Sequence, residues 1–187
     1  MVYCQNIALL DYFDVFFAMS HGVHRGTLKS GKFDDRALFV SKLINKTKNV
    51  KFDVYGIDKV QPIWADHYFK TISNSKMGLN LSRGEPIKYY SSDRITQIIG
   101  NGLVTLIDEK TGYQDFFEKD EMVFYKNLSD LSEKISKISR DEKLRKKIRK
   151  KDKNKYLKYF NSTLVADFII NKTFDIKSKN KHLWHNE

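Results

Sequence analysis

Short, almost continuous apolar segments recur along the chain and are separated by longer stretches with helical spacing. Phe13–Ser20 is the first such segment. Its lack of alternation between apolar and polar residues is typical of a strand that is buried on both faces, as in a parallel sheet. Further segments of this kind predict strands at Val50–Ile57, Met77–Leu81, Leu103–Ile107 and Glu121–Tyr125.

Helices are predicted between and after these strands. Acidic Asp34-Asp35 suit a helix N-terminus, and apolar residues follow them at helical spacing. The other predicted helices are Trp64–Ser75, Ser91–Ile99, Asn127–Tyr159 with a break near Ser139–Asp141, and Ser162–Asn171. Strands that alternate with helices predict an α/β fold, a Rossmann-like parallel sheet of about five strands flanked by helices, with further C-terminal helices. We expect a lead-in over residues 1–12, the domain over 13–174 and a tail over 175–187.

Composition restricts the class of protein. A chain of 187 residues with 41% hydrophobic residues suits one domain with a real core. No apolar run reaches the roughly 18–20 residues of a membrane span, and no signal peptide is recognisable. We therefore expect a cytoplasmic protein, with any peripheral membrane contact at the inner surface. The single Cys4 excludes an internal disulfide and a cysteine-based zinc site.

Positive charge is concentrated in one predicted helical segment. Arg140–Lys158 holds eleven Lys and Arg residues against three acids and supplies +8 of the formal net charge of +11. Three interpretations stay open: a solvated helix face, attraction to an anionic membrane surface, or attraction to nucleic acid.

The polar segment Ser82–Gly102 follows the third predicted strand and leads into a helix. Open parallel sheets bind ligands beyond the carboxyl ends of their strands, and a helix N-terminus near cations binds anions. Arg94 lies in the first helical turn, where the helix dipole disfavours a cation. It therefore either binds a phosphate or pairs with Asp93, Glu85 or Asp108. The other candidate contacts are Arg83, Lys88, Ser91, Ser92 and Gln97.

A second polar segment, His21–Lys32, follows the first predicted strand. Its cations, Arg25 first among them, either form a second clamp on a diphosphate or belong to an ordinary solvated loop. His21 and His24 are spaced like a metal-binding pair, but no carboxylate with suitable spacing joins them. No metal site is predicted.

The sequence has no P-loop, no G-x-G-x-x-G and no G-x-S-x-G motif. Gly100-Asn101-Gly102 lies at the end of a predicted helix and is interpreted as a cap. Trp64 and Tyr89-Tyr90 are either core residues or platforms on which a base stacks.

The ordered pattern SSDRITQIIGNGLVTLIDEKTGYQDFFEKDEMVFYKNLSDLSEKI, which begins at Ser91, resembles the C-terminal part of GT-B glycosyltransferases. It is similar in particular to family-1-type transferases and the group of the spore maturation protein CgeB. Its successive features are Arg94, Gly100–Gly102, Leu103–Asp108, Asp115–Phe117, Met122–Tyr125 and Asp130–Ile135. The resemblance extends over about Phe13–Phe174.

The resemblance implies the Rossmann-like half of a GT-B fold that binds a nucleotide-diphosphate sugar, without a metal or other cofactor. Arg94 and the Ser91-Ser92 helix start fall where such proteins hold the diphosphate. Gln97 stands where many of them have a glutamate that contacts the ribose. A second, N-terminal half would bind the glycan or lipid-linked acceptor.

The chain has room for only one of these two halves, since its first predicted strand begins at Phe13. We therefore expect either a truncated or split glycosyltransferase or one whose acceptor-binding domain is another chain. The alternative is a non-catalytic Rossmann-like module that binds an anionic membrane surface or nucleic acid through Arg140–Lys158.

Overall fold

Five parallel strands form one sheet in the computed structural model, which describes residues 11–20, 34–90 and 92–184. The strands are β1 (Phe13–Ala18), β2 (Phe52–Tyr55), β3 (Ser75–Asn80), β4 (Val104–Asp108) and β5 (Val123–Tyr125). Their spatial order is β2-β1-β3-β4-β5, and every neighbouring pair is parallel. The predicted α/β fold with a parallel sheet is confirmed.

Helices connect the strands and follow the last of them. They are α1 (Arg36–Lys46), α2 (Ala65–Ile72), α3 (Asp93–Gly100), α4 (Leu128–Arg140), α5 (Glu142–Tyr159) and α6 (Ser162–Thr173). The predicted break in the long helical region is confirmed at Asp141, which ends α4 and caps α5. Its Oδ1 accepts a 2.9 Å hydrogen bond from the backbone N–H of Leu144.

Both faces of the sheet are covered by helices, which explains why the strand segments are apolar without alternation. One face packs against α1 and α4 through a buried cluster that includes Val15, Phe17, Met77, Leu106, Val40, Leu43, Leu131 and Ile135. The other face packs against α2, α3 and α5, where the buried residues include Phe16, Ile72, Ile95, Ile98, Ile107 and Tyr156.

Helix α3 lies close against β3 because Gly78 has no side chain. A Cβ atom at Gly78 would lie 2.5 Å from Cγ1 and 2.7 Å from Cγ2 of Ile98. Ile98 is fully buried, so these atoms have no free space into which to move. The contact holds α3 along β3 and places the first turn of α3 near the carboxyl end of that strand.

The basic helix α5 uses many of its cations in ion pairs. Lys147 and Lys151 lie 3.3 and 2.5 Å from Oδ2 of Asp120, and Lys155 lies 2.6 Å from Oε2 of Glu121. This pairing favours a solvated helix face over a dedicated membrane or nucleic-acid surface. Among the described residues, no helix has the length and apolarity needed to cross a lipid bilayer.

Asp152 of α5 is a buried carboxyl group that contacts β4. It is 1% exposed, and its Oδ2 accepts a 2.8 Å hydrogen bond from Thr105 Oγ1, while Oδ1 has no hydrogen-bond partner among the described residues. Burial raises the pKa of Asp152 well above its ordinary value of 3.8; the Thr105 hydrogen bond opposes the rise and the charge of Glu121 adds to it. The folded state therefore holds this proton at pH values at which the unfolded chain releases it.

Replacing Asp152 with asparagine is expected to stabilise the fold relative to wild type, increasingly so as the pH rises above about 4. Wild type loses unfolding free energy over this range because its unfolded state releases a proton that the folded state retains. Asparagine keeps an oxygen for Thr105 and has no such proton. Urea denaturation at several pH values measures the difference.

The control is Glu133→Gln, at an exposed acid of α4, which should keep the wild-type pH dependence. A difference between D152N and wild type that is constant with pH would contradict the assignment.

Candidate functional site

Polar and charged side chains gather at the carboxyl end of the sheet, where β1, β3 and β4 end. The strand order changes direction between β1 and β3, since β2 lies beside β1 on one side and β4 lies beside β3 on the other. Connections diverge at such a point and open a crevice, which is where open α/β sheets bind ligands. The crevice is bordered by the start of α1, the start of α3 and the loop after β3.

Arg94 lies at this crevice in the first turn of α3, with a largely buried side chain. Its Nη1 donates a 2.9 Å hydrogen bond to the carbonyl oxygen of Leu81, and its guanidinium carbon lies 5.3 Å from the ring centroid of Phe17. Burial lowers the pKa of Arg94, and the charge of Arg36 lowers it further. An anion that entered the crevice would stabilise the charged form of this side chain.

The acids that the sequence offers as partners for Arg94 do not pair with it. Oδ1 of Asp108 accepts a 2.9 Å hydrogen bond from the backbone N–H of Lys110. Asp93 and Glu85 are exposed, and neither forms an ion pair with Arg94 in the described part of the chain. Phosphate binding by Arg94 stays a prediction, whereas the ion-pair alternative is not supported.

Asp34 and Arg36 form a buried ion pair at the start of α1. Arg36 Nε donates a 2.8 Å hydrogen bond to Asp34 Oδ1, and the Arg36 and Asp34 side chains are 7% and 2% exposed. Arg83, from the loop after β3, brings its Nε to 3.7 Å from Asp34 Oδ2. Burial raises the pKa of Asp34, but the hydrogen bonds and charge of Arg36, with the charge of Arg83, hold it below its ordinary value of 3.8.

Arg36, Arg83 and Arg94 together form what we call the arginine cluster. Asp34 contacts two of these three cations, so the cluster keeps an excess of positive charge. Arg36 is not among the predicted site residues. The signal that pointed to Arg94, a cation in the first turn of a helix where the dipole disfavours it, applies equally to Arg36.

Ser92 occupies the N-cap position of α3 in an extended conformation but does not cap the helix with its side chain. Its hydroxyl lies 3.3 Å from Oδ1 of Asn80, at the end of β3. The backbone N–H of Ile95 bonds to the Ser92 carbonyl at 3.1 Å, whereas those of Asp93 and Arg94 have no partner within the described ranges. Free N–H groups at a helix N-terminus attract anions.

A cavity of about 350 Å³, the Trp64 cavity, opens beside Arg94 between the end of β1, the start of α2 and α3. Trp64 is 65% exposed, so it is not the core residue that one interpretation of the sequence expected. Tyr68 also lines the cavity and packs edge-on against Phe16, with ring centroids 5.4 Å apart. Burial raises the pKa of Tyr68 to about 12, with the charge of Arg94 acting in the opposite direction.

Gln97 lines the same cavity, one helical turn after Arg94. It is half-buried, and its side-chain amide makes no hydrogen bond with any residue that the structure describes. The amide is therefore available to a polar group in the Trp64 cavity.

A second cavity, of about 270 Å³, borders Arg36 and is named the Asp108 cavity. It lies between the start of α1, the loop after β3 and the end of β4, and its lining includes Ser82, Glu85 and Asp108. Burial raises the pKa of Asp108, while the hydrogen bond from Lys110 acts against this rise. The two cavities meet the arginine cluster through different residues, Arg94 in one and Arg36 in the other.

The structure brings four of the seven predicted site residues to this crevice: Arg83, Ser92, Arg94 and Gln97. Lys88 lines neither cavity; its Nζ lies 3.6 Å from Asp115 Oδ2 and 4.7 Å from the ring centroid of Tyr89. Arg25, Ser91 and the remainder of the His21–Lys32 segment, including the histidine pair, lie outside the described residues. Within the described ranges, no group of three or more His, Cys, Asp or Glu residues could hold a metal ion.

A sequence profile described as "Glycosyl transferase-like" matches residues 36–171, well over half of the chain. The chain belongs to this family. The match includes the whole of α1, α3 and the loop after β3, so it contains the arginine cluster. Comparison with curated protein sequences gives no match.

Two solved glycosyltransferase structures are similar to this chain. S. aureus TarM, in complex with fondaparinux, α-GlcNAc-glycerol and UDP, has a TM-score of 0.64 and 13% identity over 89% of this chain and 36% of TarM. An α1,3-fucosyltransferase has a TM-score of 0.55 and 12% identity over 96% of this chain and 49% of that protein. The predicted GT-B fold is confirmed as one Rossmann-like half. The chain spans less than half the length of either structure, and the similarity to the CgeB group stays a prediction.

Asp34→Asn is expected to lower the unfolding free energy by about 1–3 kcal/mol at neutral pH, because it leaves the Arg36 guanidinium without its charged partner. The pKa of Asp34 is held below 3.8, so its contribution is present above about pH 4 and is lost as the pH falls further. Denaturant titration at pH 7 and pH 3 measures both effects.

The matched control is Asp35→Asn, at the exposed neighbouring acid, whose side chain forms no capping hydrogen bond. This variant is expected to lie within about 0.5 kcal/mol of wild type. Equal destabilisation by the two substitutions would show that the buried pair has no special part in holding the start of α1.

Proposed function

We propose that this chain is the donor-binding domain of a glycosyltransferase, which holds a nucleotide-diphosphate sugar at the carboxyl end of its sheet for transfer of the glycosyl group. The observation that carries the proposal is Arg94, a largely buried cation that forms no ion pair among the described residues, at the N-terminus of α3, where no side chain caps the helix. Family membership supplies the reaction class.

The diphosphate is proposed to lie against the arginine cluster and the first turn of α3. Arg94 and Arg36 supply positive charge. The backbone N–H groups of Asp93 and Arg94, which have no partner among the described residues, supply hydrogen-bond donors. Ser92 is close enough to the end of β3 to add a hydroxyl. Arg25, Arg83, Lys88 and Ser91 stay predicted contributors to the same site.

The nucleoside is proposed to occupy the Trp64 cavity. Trp64 offers an exposed indole face on which a base stacks, and Gln97 offers an amide to a ribose hydroxyl. The cavity volume of about 350 Å³ lies at the small end of the range for ligand sites. The sugar would then face the Asp108 cavity, where Ser82, Glu85 and Asp108 offer polar groups to its hydroxyls.

Catalysis would be electrostatic on the donor side. As the bond between the anomeric carbon and the phosphate oxygen breaks, negative charge grows on the departing nucleoside diphosphate. Arginines and helix N–H groups that are already in place stabilise this charge without reorganisation. This chain matches only 36% of TarM and 49% of the fucosyltransferase. We therefore propose that a second domain, covalently joined or on another chain, presents the glycan or lipid-linked acceptor and accepts its proton.

Calorimetric titration with UDP, GDP and ADP tests donor binding, and at least one of them should bind. Arg94→Gln should weaken that binding about 10- to 100-fold, because a charge-assisted hydrogen bond to phosphate is lost. The matched control is Arg140→Gln, an exposed arginine at the end of α4, which should bind like wild type. Absence of binding by all three nucleotides at millimolar concentration would refute the proposal, and unchanged affinity in R94Q would remove the role of Arg94.

Tryptophan fluorescence tests where the base lies. The chain has two tryptophans, Trp64 and Trp184, and a base stacked on Trp64 should quench only the first. Quenching should persist in Trp184→Phe and disappear in Trp64→Phe, and the second variant should bind more weakly by a few fold. Quenching that survives in Trp64→Phe would place the base elsewhere.

A further inference from the structure

The end of α6 and the segment that follows it enclose a cavity of about 860 Å³, which we name the tail cavity. It is larger than either cavity at the strand ends. Four lysines line it, Lys172, Lys177, Lys179 and Lys181, and the acid in the lining is Asp175. The lining is therefore strongly cationic.

Aromatic packing holds the tail cavity in shape. His182 is buried between Phe168 and Trp184. The centroid of its ring lies 5.2 Å from the ring centroid of Phe168 and 5.2 Å from that of Trp184. His182 Nε2 lies 3.3 Å from Asp167 Oδ2 and 3.2 Å from Ser178 Oγ, which ties the segment to α6. These contacts fix one wall of the tail cavity in the absence of a ligand.

The same packing connects the tail cavity to the carboxyl end of the sheet. Trp184 contacts Phe160 at the end of α5, with ring centroids 5.4 Å apart. Phe160 in turn packs against Phe116 and Phe117, which follow β4, at 5.7 and 5.5 Å. The cavity therefore belongs to the side of the domain on which the candidate site lies.

The four lysines of the tail cavity differ in their pairing from several of the lysines on α5. Within the described residues none of them forms an ion pair, whereas Lys147, Lys151 and Lys155 of α5 do. Several unpaired ammonium groups that share one concave surface create a positive potential that draws anions in. Flexible lysines suit a ligand whose charge is spread over several phosphate groups, because each acts as a separate point charge.

We propose that the tail cavity is a second anion site, separate from the crevice at the strand ends, and that it binds a ligand carrying several phosphate groups. The proposal stands on the lysines, the cavity and the aromatic wall, and it does not rest on donor binding. A phosphate-bearing acceptor or effector would have this chemistry.

Calorimetry with sodium tripolyphosphate, first alone and then in the presence of excess UDP to occupy the crevice, tests the proposal. The triple variant Lys177→Gln, Lys179→Gln, Lys181→Gln should bind tripolyphosphate about tenfold more weakly than wild type, or worse. The matched control is Lys143→Gln, Lys150→Gln, Lys153→Gln on α5. It removes the same charge from lysines that form no ion pair with any described residue, and it should stay within about twofold of wild type. Thermal unfolding should give the same midpoint for all three proteins.

Three results would overturn the proposal: no binding of tripolyphosphate by wild type, equal weakening in the two triple variants, or complete displacement of tripolyphosphate by UDP. Equal weakening would mean general attraction to a basic surface, and displacement would mean that both ligands share the crevice. If UDP itself fails to bind, the comparison of the two triple variants still decides the question. Failure of the donor proposal is therefore distinguishable from failure of this one.

Discussion

The candidate site depends on the close contact between α3 and β3 at Gly78. A side chain there would meet Ile98 at 2.5 Å, so α3 could not lie as near to the strand. With glycine, the helix runs along β3 and its first turn reaches the crevice where the strand order changes direction. Arg94 is then held between the Leu81 carbonyl and the Phe17 ring. A packing constraint in the core thus sets the position of the main binding residue.

The charge balance at the crevice follows from burial. Each arginine that leaves water loses hydration, and this cost is offset only by hydrogen bonds and opposite charge. Asp34 meets that need for Arg36 and in part for Arg83, while Arg94 has a carbonyl and an aromatic face instead. The protein can therefore fold with the arginine cluster in place, although among the described residues the three arginines are matched by only one aspartate, Asp34. The nucleoside diphosphate that we propose as ligand would supply further negative charge.

The fold could be predicted from the sequence because strands that are buried on both faces are almost entirely apolar, as in Phe13–Ala18, where Asp14 is the one polar residue. Asp141 was predictable for a similar reason, since a polar cap interrupts two helices. The direction of a side chain in a loop is not marked by any pattern in the sequence. The Lys88 side chain points to Asp115, which is distant in sequence. Arg36 belongs to the arginine cluster only because the fold brings it near Arg94. The tail cavity depends on the contacts of Trp184 with Phe160 and His182, which the spacing of apolar residues in the sequence does not predict.

We propose above all that the first turn of α3 is an anion site for a nucleotide diphosphate. Amide chemical-shift mapping of the ¹⁵N-labelled protein with UDP tests this most directly. We expect the largest shifts at the backbone amides of Asp93, Arg94 and Ile95 and at the Trp64 indole N–H. Chemical-shift changes confined to α5 and the tail, with no change at the α3 amides, would contradict an anion site at the first turn of α3.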